Sequence, residues 1–263
     1  MTTPLLPTIM VAPNGARRGK ADHPALPVTI PEIVACAADC FAVGADGIHA
    51  HVRDAEGQHV LDSGLYAELM AELARAVPGM AVQITTEAVG RYSPAEQRAL
   101  VERLRPALVS VALREITVEP DSRLTRRFFH DCAAAGTAVQ HILYSALDVD
   151  NLAALVRDGT VPGGPSQVLH VLGRYAAGQT SSPSDLAAPL ARQRALGLQA
   201  DWAVCAFGPD ETNCLLAARR ECGKVRIGFE NNLFMADGSI AASNAARVSD
   251  LATRLADMQF GPR

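Results

Sequence analysis

GIHAHVRDAEGQHVLDSGLYAELMAELARAVPGMAVQITTE, residues 47–87, contains two short apolar runs, GIHAHVRD (47–54) and AVQITTE (81–87), with a longer stretch of helical periodicity between them. A strand, a crossover helix and a second strand is the unit from which parallel sheets are built. The same alternation recurs along the whole chain. Further strand candidates are PTIMVAP (7–13), LVSVALR (108–114), AVQHILYS (138–145), SQVLHVL (166–172), DWAVCAFG (201–208) and KVRIGFEN (224–231). Most are nearly continuous apolar runs, as suits strands covered on both faces. The segments between them open with ordinary helix-start signals: Thr29 followed by Pro31 and Glu32, Ser93 followed by Pro94 and Glu96, and Ser184 followed by Asp185. Eight such units predict a single (β/α)8 TIM barrel, class α/β, over residues 1–263. The competing open, doubly wound sheet wants a glycine-rich turn after the first strand, and APNGARRG (12–19) fits GxGxxG poorly.

Composition narrows the function. With 263 residues and 49% hydrophobic content the chain can build a substantial core, and its formal net charge of -4 gives no basic surface for nucleic acid or an anionic membrane. The N-terminal stretch lacks a basic leader followed by an apolar segment, and no run of membrane-spanning length occurs, so a cytoplasmic location is expected. Six cysteines without CxxC spacing read as small core residues rather than a zinc ribbon or disulfide scaffold.

A barrel places its chemistry at the C-terminal ends of its strands. Reading those ends brings together Asn14 with Arg17 and Arg18, His49 and His51, Thr85 to Glu87, Ser110 and Arg114, Gln140 to Ser145, Arg174 with Tyr175, and Arg226 with Glu230 and Asn231. Residues i and i+2 of a strand share a face, so the imidazoles of His49 and His51 converge. Taken alone, the pair is equally compatible with one packed ring and one titrating ring. Beside a glutamate and several arginines, it points to a metal with an anionic organic ligand.

Four stretches, NGARRGKADHPALPVTIPEI (14–33), GADGIHAHVRDAEGQ (44–58), QITTE (83–87) and VRIGFENNLFMADGSIAASNAARV (225–248), carry HxHxRD followed much later by RxGxExN. On these the chain resembles the β-keto acid cleavage enzymes, zinc-dependent (β/α)8 barrels. The resemblance implies one Zn2+ held by His49, His51 and Glu230, with a coordination position left for substrate. It implies a transferase that condenses a β-keto acid with acetyl-CoA and returns acetoacetate and an acyl-CoA. Arg226 then becomes a catalytic cation, Thr85 and Ser110 become substrate hydroxyls, and the assembly becomes a homo-oligomer, a tetramer in many members.

The chain also departs from that pattern. Family members commonly read GLEDN where this chain reads GFENN, so Asn231 stands where an aspartate is implicated in proton transfer. An amide has no useful basicity, which leaves Glu87 and Glu115 as candidates for the base. Arg17, beside Asn14 in the loop after the first strand, suits a second anion on the substrate tail rather than an ammonium group. QHILYS (140–145) lacks the glutamate usual there. A zinc hydrolase of amidohydrolase-like type is the alternative, and it would recruit His141 and His170; against it stand HxH on the second strand and Glu230 in the last. A third reading is a metal-binding barrel without turnover. The polar stretch AAGQTSSPSD (176–185) reads as a lid, and with no P-loop the mouth loops must hold any CoA phosphates.

Overall fold

The computed structural model describes residues 4–119 and 122–260, leaving out the side chains of 259 and 260. The outermost residues of the expected 1–263 domain, 1–3 and 261–263, lie outside that description. Eight parallel strands close into a barrel in sequence order: β1 (Ile9–Val11), β2 (Gly47–Ala50), β3 (Ala81–Thr85), β4 (Leu108–Ala112), β5 (Ala138–Leu143), β6 (Ser166–Leu172), β7 (Ala200–Ala206) and β8 (Lys224–Ile227), with β8 pairing back onto β1. Helices follow the strands on the outside: α1 (Ile30–Ala42), α2 (Ser63–Ala76), α3 (Pro94–Leu104), the short α4 (Leu113–Ile116), α5 (Ser122–Ala135), α6 (Ala146–Arg157), α7 (Ala187–Ala195), α8 (Glu211–Arg220) and α9 (Asn244–Phe260). This is the expected (β/α)8 barrel. No helix among the described residues is long and apolar enough to cross a membrane.

Alternation along the strands builds two separate cores. Outward residues such as Ile48, Ile84, Val109, Val111, Val168 and Val225 join the buried faces of the helices in one large cluster. On α2 that face is Tyr66, Leu69 and Leu73, spaced as a helical stripe. Inward residues Ala112, Ile142, Leu169, Val171, Ala203, Cys205 and Phe207 form a second cluster inside the β4–β7 side of the barrel. Capping boxes at Thr29 with Glu32 and at Ser93 with Glu96 start α1 and α3 as expected.

The strands are shorter than the apolar runs that announced them. LVSVALR leaves the sheet at Leu113 to begin α4, which puts Arg114 on a helix. The segment before α7 is a short 3-10 turn over Pro183–Leu186 capped by Ser182, rather than a helix opened by Ser184. Most consequential is β8, which ends at Ile227, so that Glu230 lies in the turn beyond it instead of on the strand.

Candidate metal centre and the cavity above it

His49 is on β2 and His51 follows its last residue, still in extended register, so both rings enter the barrel from one side. Their Nε2 atoms face each other at 3.1 Å. Glu230 arrives from the opposite edge of the chain, and its Oε2 lies 3.5 Å from His49 Nε2 and 3.6 Å from His51 Nε2. Two glycines permit that approach. A Cβ on Gly15, which has φ of 60°, would meet Glu230 Cγ at 2.5 Å. A Cβ on Gly228, with φ of 149°, would meet the Ala12 carbonyl oxygen at 2.3 Å, so the close packing of β8 against β1 requires glycine there.

Burial pushes the pKa values of both His49 and His51 well below the ordinary imidazole range, which favours the neutral rings that ligate metal. Glu230 Oε2 is buried without a hydrogen-bond partner, while Oε1 accepts from Arg226 Nη2 at 3.0 Å. A tetrahedral ion with bonds of about 2.0–2.1 Å has ligand–ligand edges of roughly 3.3–3.4 Å. The three edges here bracket that value. Two neutral imidazoles and an orphaned carboxylate oxygen on one small triangle fit a divalent cation, and these three residues form the metal-ligating cluster found among the described residues.

Surrounding groups hold the ligands in place. Asn14 Nδ2 donates to the His51 carbonyl at 2.9 Å and its Oδ1 accepts from the His51 amide at 3.2 Å, so this side chain pairs with the main chain of a ligand. Arg53, from the HxHxRD motif, donates to the carbonyls of Gly15, Arg18 at 3.0 Å and Asn14 at 3.4 Å, pinning the loop after β1. His59 Nδ1 sits 3.4 Å from His51 Nδ1, and its Nε2 donates to the Glu87 carbonyl at 3.0 Å. His59 and Gln83 are not among the strand-end residues read from the sequence, and Gln140, which is, reaches His49 only through Gln83.

A cavity opens over the triad. Among its lining residues are Asn14, Arg17, Arg18, His49, Thr85, Glu87, Arg226 and Glu230 from the anticipated set, together with Tyr144, Arg174, Gln179 and Phe207. Arg226 is buried, and its Nε and Nη1 have no hydrogen-bond partner. Burial, reinforced by Glu230 and Glu115, pushes the Glu87 carboxyl up to about 7. Arg17 is exposed at the rim and Arg174 is half-buried with its guanidinium 5.3 Å from the Phe207 ring; neither has an ion pair among the described residues. Gln179 brings the 176–185 stretch over the opening.

Several anticipated residues stand elsewhere. Ser110 is fully buried and does not line the cavity, nor does Asn231, whose side-chain atoms are buried without partners. Glu115 accepts from the Ala88 amide and from Gln97 Nε2, both at 2.9 Å, outside the lining. Arg114 pairs with Asp148 at 2.8 Å and lies against the rings of Tyr144 and Tyr175. His141 packs against Phe129 of α5, and His170 bonds Gln193 of α7 at 3.0 Å beside Trp202, so both face the helices. The two further ligands needed by the hydrolase alternative are therefore turned away from the triad.

Residues 7–262 match the family model described as beta-keto acid cleavage enzyme. The chain is 27% identical over 261 residues to a 3-oxoadipate:acetyl-CoA acetyltransferase of Cupriavidus necator, covering 96% of this chain and 88% of that protein. It is 25% identical over 246 residues to a 3-keto-5-aminohexanoate cleavage enzyme of Fusobacterium nucleatum, covering 91% and 88% of the two chains. Among solved structures, ObcA in a binary complex with oxaloacetate superposes with a TM-score of 0.71 at 16% identity. The match covers 90% of this chain and 64% of that one, and it speaks for the fold.

Proposed function

From its place in the beta-keto acid cleavage enzyme family, to which this chain belongs, we propose a metal-dependent acyltransferase that cleaves a β-keto acid with acetyl-CoA as co-substrate and releases acetoacetate and a new acyl-CoA. The observation that carries the reading is the convergence of His49 Nε2, His51 Nε2 and the orphaned Glu230 Oε2 under a cavity that also receives the free N–H groups of Arg226. His49, His51 and Glu230 would hold the cation, zinc in our proposal. When bound, it supplies Lewis-acid polarisation of the keto acid's oxygens and offsets the enolate charge.

The chain's own groups account for the rest. Glu87 takes a proton from C2 of the keto acid, in place of the base that Asn231 cannot be. The C2 carbanion forms a bond to the acetyl carbonyl carbon, and the CoA thiolate leaves. That thiolate then attacks the original keto carbon, the C2–C3 bond breaks, and Glu87 returns its proton to C2 of the acetoacetate formed. Arg226 donates Nε and Nη1 hydrogens to the oxyanions that develop on the attacked carbonyls. Thr85 supplies a hydroxyl at the cavity wall.

The tail of the substrate is read from the rim. Arg17, exposed at the rim, and the half-buried Arg174 have no ion pair among the described residues and line the opening, where they can answer an anion on the ligand. This favours a β-keto dicarboxylate, the class to which the 3-oxoadipate of the Cupriavidus relative belongs. A cytoplasmic homotetramer completes the proposal. The test is to incubate purified protein with Zn2+, acetyl-CoA and a panel of β-keto acids and follow products by mass spectrometry. Acetoacetate and acyl-CoA formed fastest from a dicarboxylate support the reading; product that forms without acetyl-CoA, or preference for an amino-bearing acid, contradicts it.

A further inference from the structure

Beneath His49 the barrel buries two glutamines that packing alone does not call for. Gln83 on β3 and Gln140 on β5 are both essentially inaccessible, and β4 lies between their strands in the sheet. Inaccessible amides must satisfy their polar atoms within the protein. They do so in series: Gln140 Nε2 donates to the Val168 carbonyl at 3.3 Å, Gln83 Nε2 donates to Gln140 Oε1 at 3.0 Å, and Gln83 Oε1 lies 2.8 Å from His49 Nδ1.

The direction of this series follows from its far end. A main-chain carbonyl only accepts, so Gln140 turns its NH2 toward Val168 and its oxygen toward Gln83. Gln83 must then offer its NH2 to Gln140 and its oxygen to His49. Reversing both amides would set Gln140 Oε1 against the Val168 oxygen and leave two acceptors facing one another. The atom that meets Gln83 Oε1 is therefore an N–H of His49, and in a neutral ring the lone pair is on Nε2, the atom that faces His51 and Glu230.

We propose that Gln83 and Gln140 form an amide relay, anchored on the Val168 carbonyl, that holds His49 in its Nδ1–H tautomer and keeps its Nε2 lone pair directed at the cation position. They are positioning residues and touch neither substrate nor cation. The proposal rests on the reading of His49, His51 and Glu230 as a metal site, yet its first consequence concerns the metal-free protein. Outer hydrogen bonds of this kind fix ligand orientation and raise ligand basicity.

Long-range 1H–15N correlation of the imidazoles in metal-free, 15N-histidine-labelled protein, with His49 assigned by its loss in His49→Gln, reads the tautomer directly. The wild type is expected to show Nδ1–H at His49, and Gln83→Met to show a mixture or the Nε2–H form. Competition with a chromogenic chelator should show Gln83→Met weakening Zn2+ binding by about 10–100-fold. Gln83→Glu in its protonated form keeps an acceptor toward Nδ1 and an O–H donor toward Gln140 Oε1, and should stay much closer to wild type. Gln140→Met, one link further away, should shift both readouts in the same direction by less. Nε2–H in the wild type overturns the relay, as does unchanged Zn2+ affinity in Gln83→Met or equal losses in Gln83→Met and Gln83→Glu. If the wild type binds no Zn2+ the metal reading fails, while the tautomer in the metal-free protein still decides the relay; should Gln83→Met not fold, the wild-type spectrum and Gln140→Met decide it.

Discussion

The two sides of the barrel interior are built from opposite materials. From β4 to β7 the inward residues include Ala112, Ile142, Leu169, Val171, Ala203, Cys205 and Phe207, an apolar wall with the polar Ser110 and Gln140 one step earlier on β4 and β5. From β8 through β1 and β2 to β3 the corresponding positions hold Arg226, Asn14, His49, His51, Gln83 and Thr85, all buried. The apolar side keeps water away and lowers the local dielectric, which strengthens each charge interaction made on the other side. The polar side is tolerable only because its groups answer one another, through Asn14 to His51, Gln83 to His49 and Arg226 to Glu230. Among the orphaned atoms that remain, Glu230 Oε2 and Arg226 Nε and Nη1 are the ones the chemistry would engage.

Substitutions can break that contrast or sharpen it. The largest effect is expected from His51→Ala or Glu230→Gln, which should abolish stoichiometric metal in elemental analysis and reduce turnover by more than about 10³-fold, the scale of several kcal/mol of lost Lewis-acid stabilisation. Next comes Arg226→Lys, which keeps a charge but loses the fixed geometry of the guanidinium; kcat should fall by about 10²–10³-fold with metal content retained. Arg17→Ala should raise KM for a dicarboxylic β-keto acid by about tenfold or more, the scale of one charge-assisted hydrogen bond, and leave a monocarboxylic one nearly unchanged in steady-state assays. The smallest effect on the site belongs to the apolar wall. Leu169→Ala should lower stability by about 2–5 kcal/mol in denaturant melts, yet leave Zn2+ affinity in the chelator assay close to wild type. A large loss of metal in that variant would show that the two sides are not separable.

How much of this could be read from the chain itself depends on which physical signal was local. Eight apolar runs between helical stretches fixed the barrel, and the i, i+2 spacing of His49 and His51 placed both rings on one face. What the runs could not tell is which face turns inward, because parallel strands are apolar on both sides. In QHILYS, Gln140 and the adjacent His141 necessarily face opposite ways, and the histidine that looked like a possible ligand proved to be the one against Phe129. Glu230 was assigned to the strand, whereas the site uses the turn after Gly228, a geometry set by packing against Ala12. The chain of amides from Gln83 to Val168 crosses strands far apart in sequence and exists only once the barrel has closed.

The central claim is that the polar side grips one divalent cation through two imidazoles and one carboxylate. X-ray absorption at the zinc edge of protein loaded with one equivalent of Zn2+ tests it most directly. A nitrogen- and oxygen-only first shell with scattering from two imidazoles is expected in the wild type and should be lost, with the stoichiometric metal, in His51→Ala; sulfur ligation, or an unchanged two-imidazole signal in that variant, would contradict it.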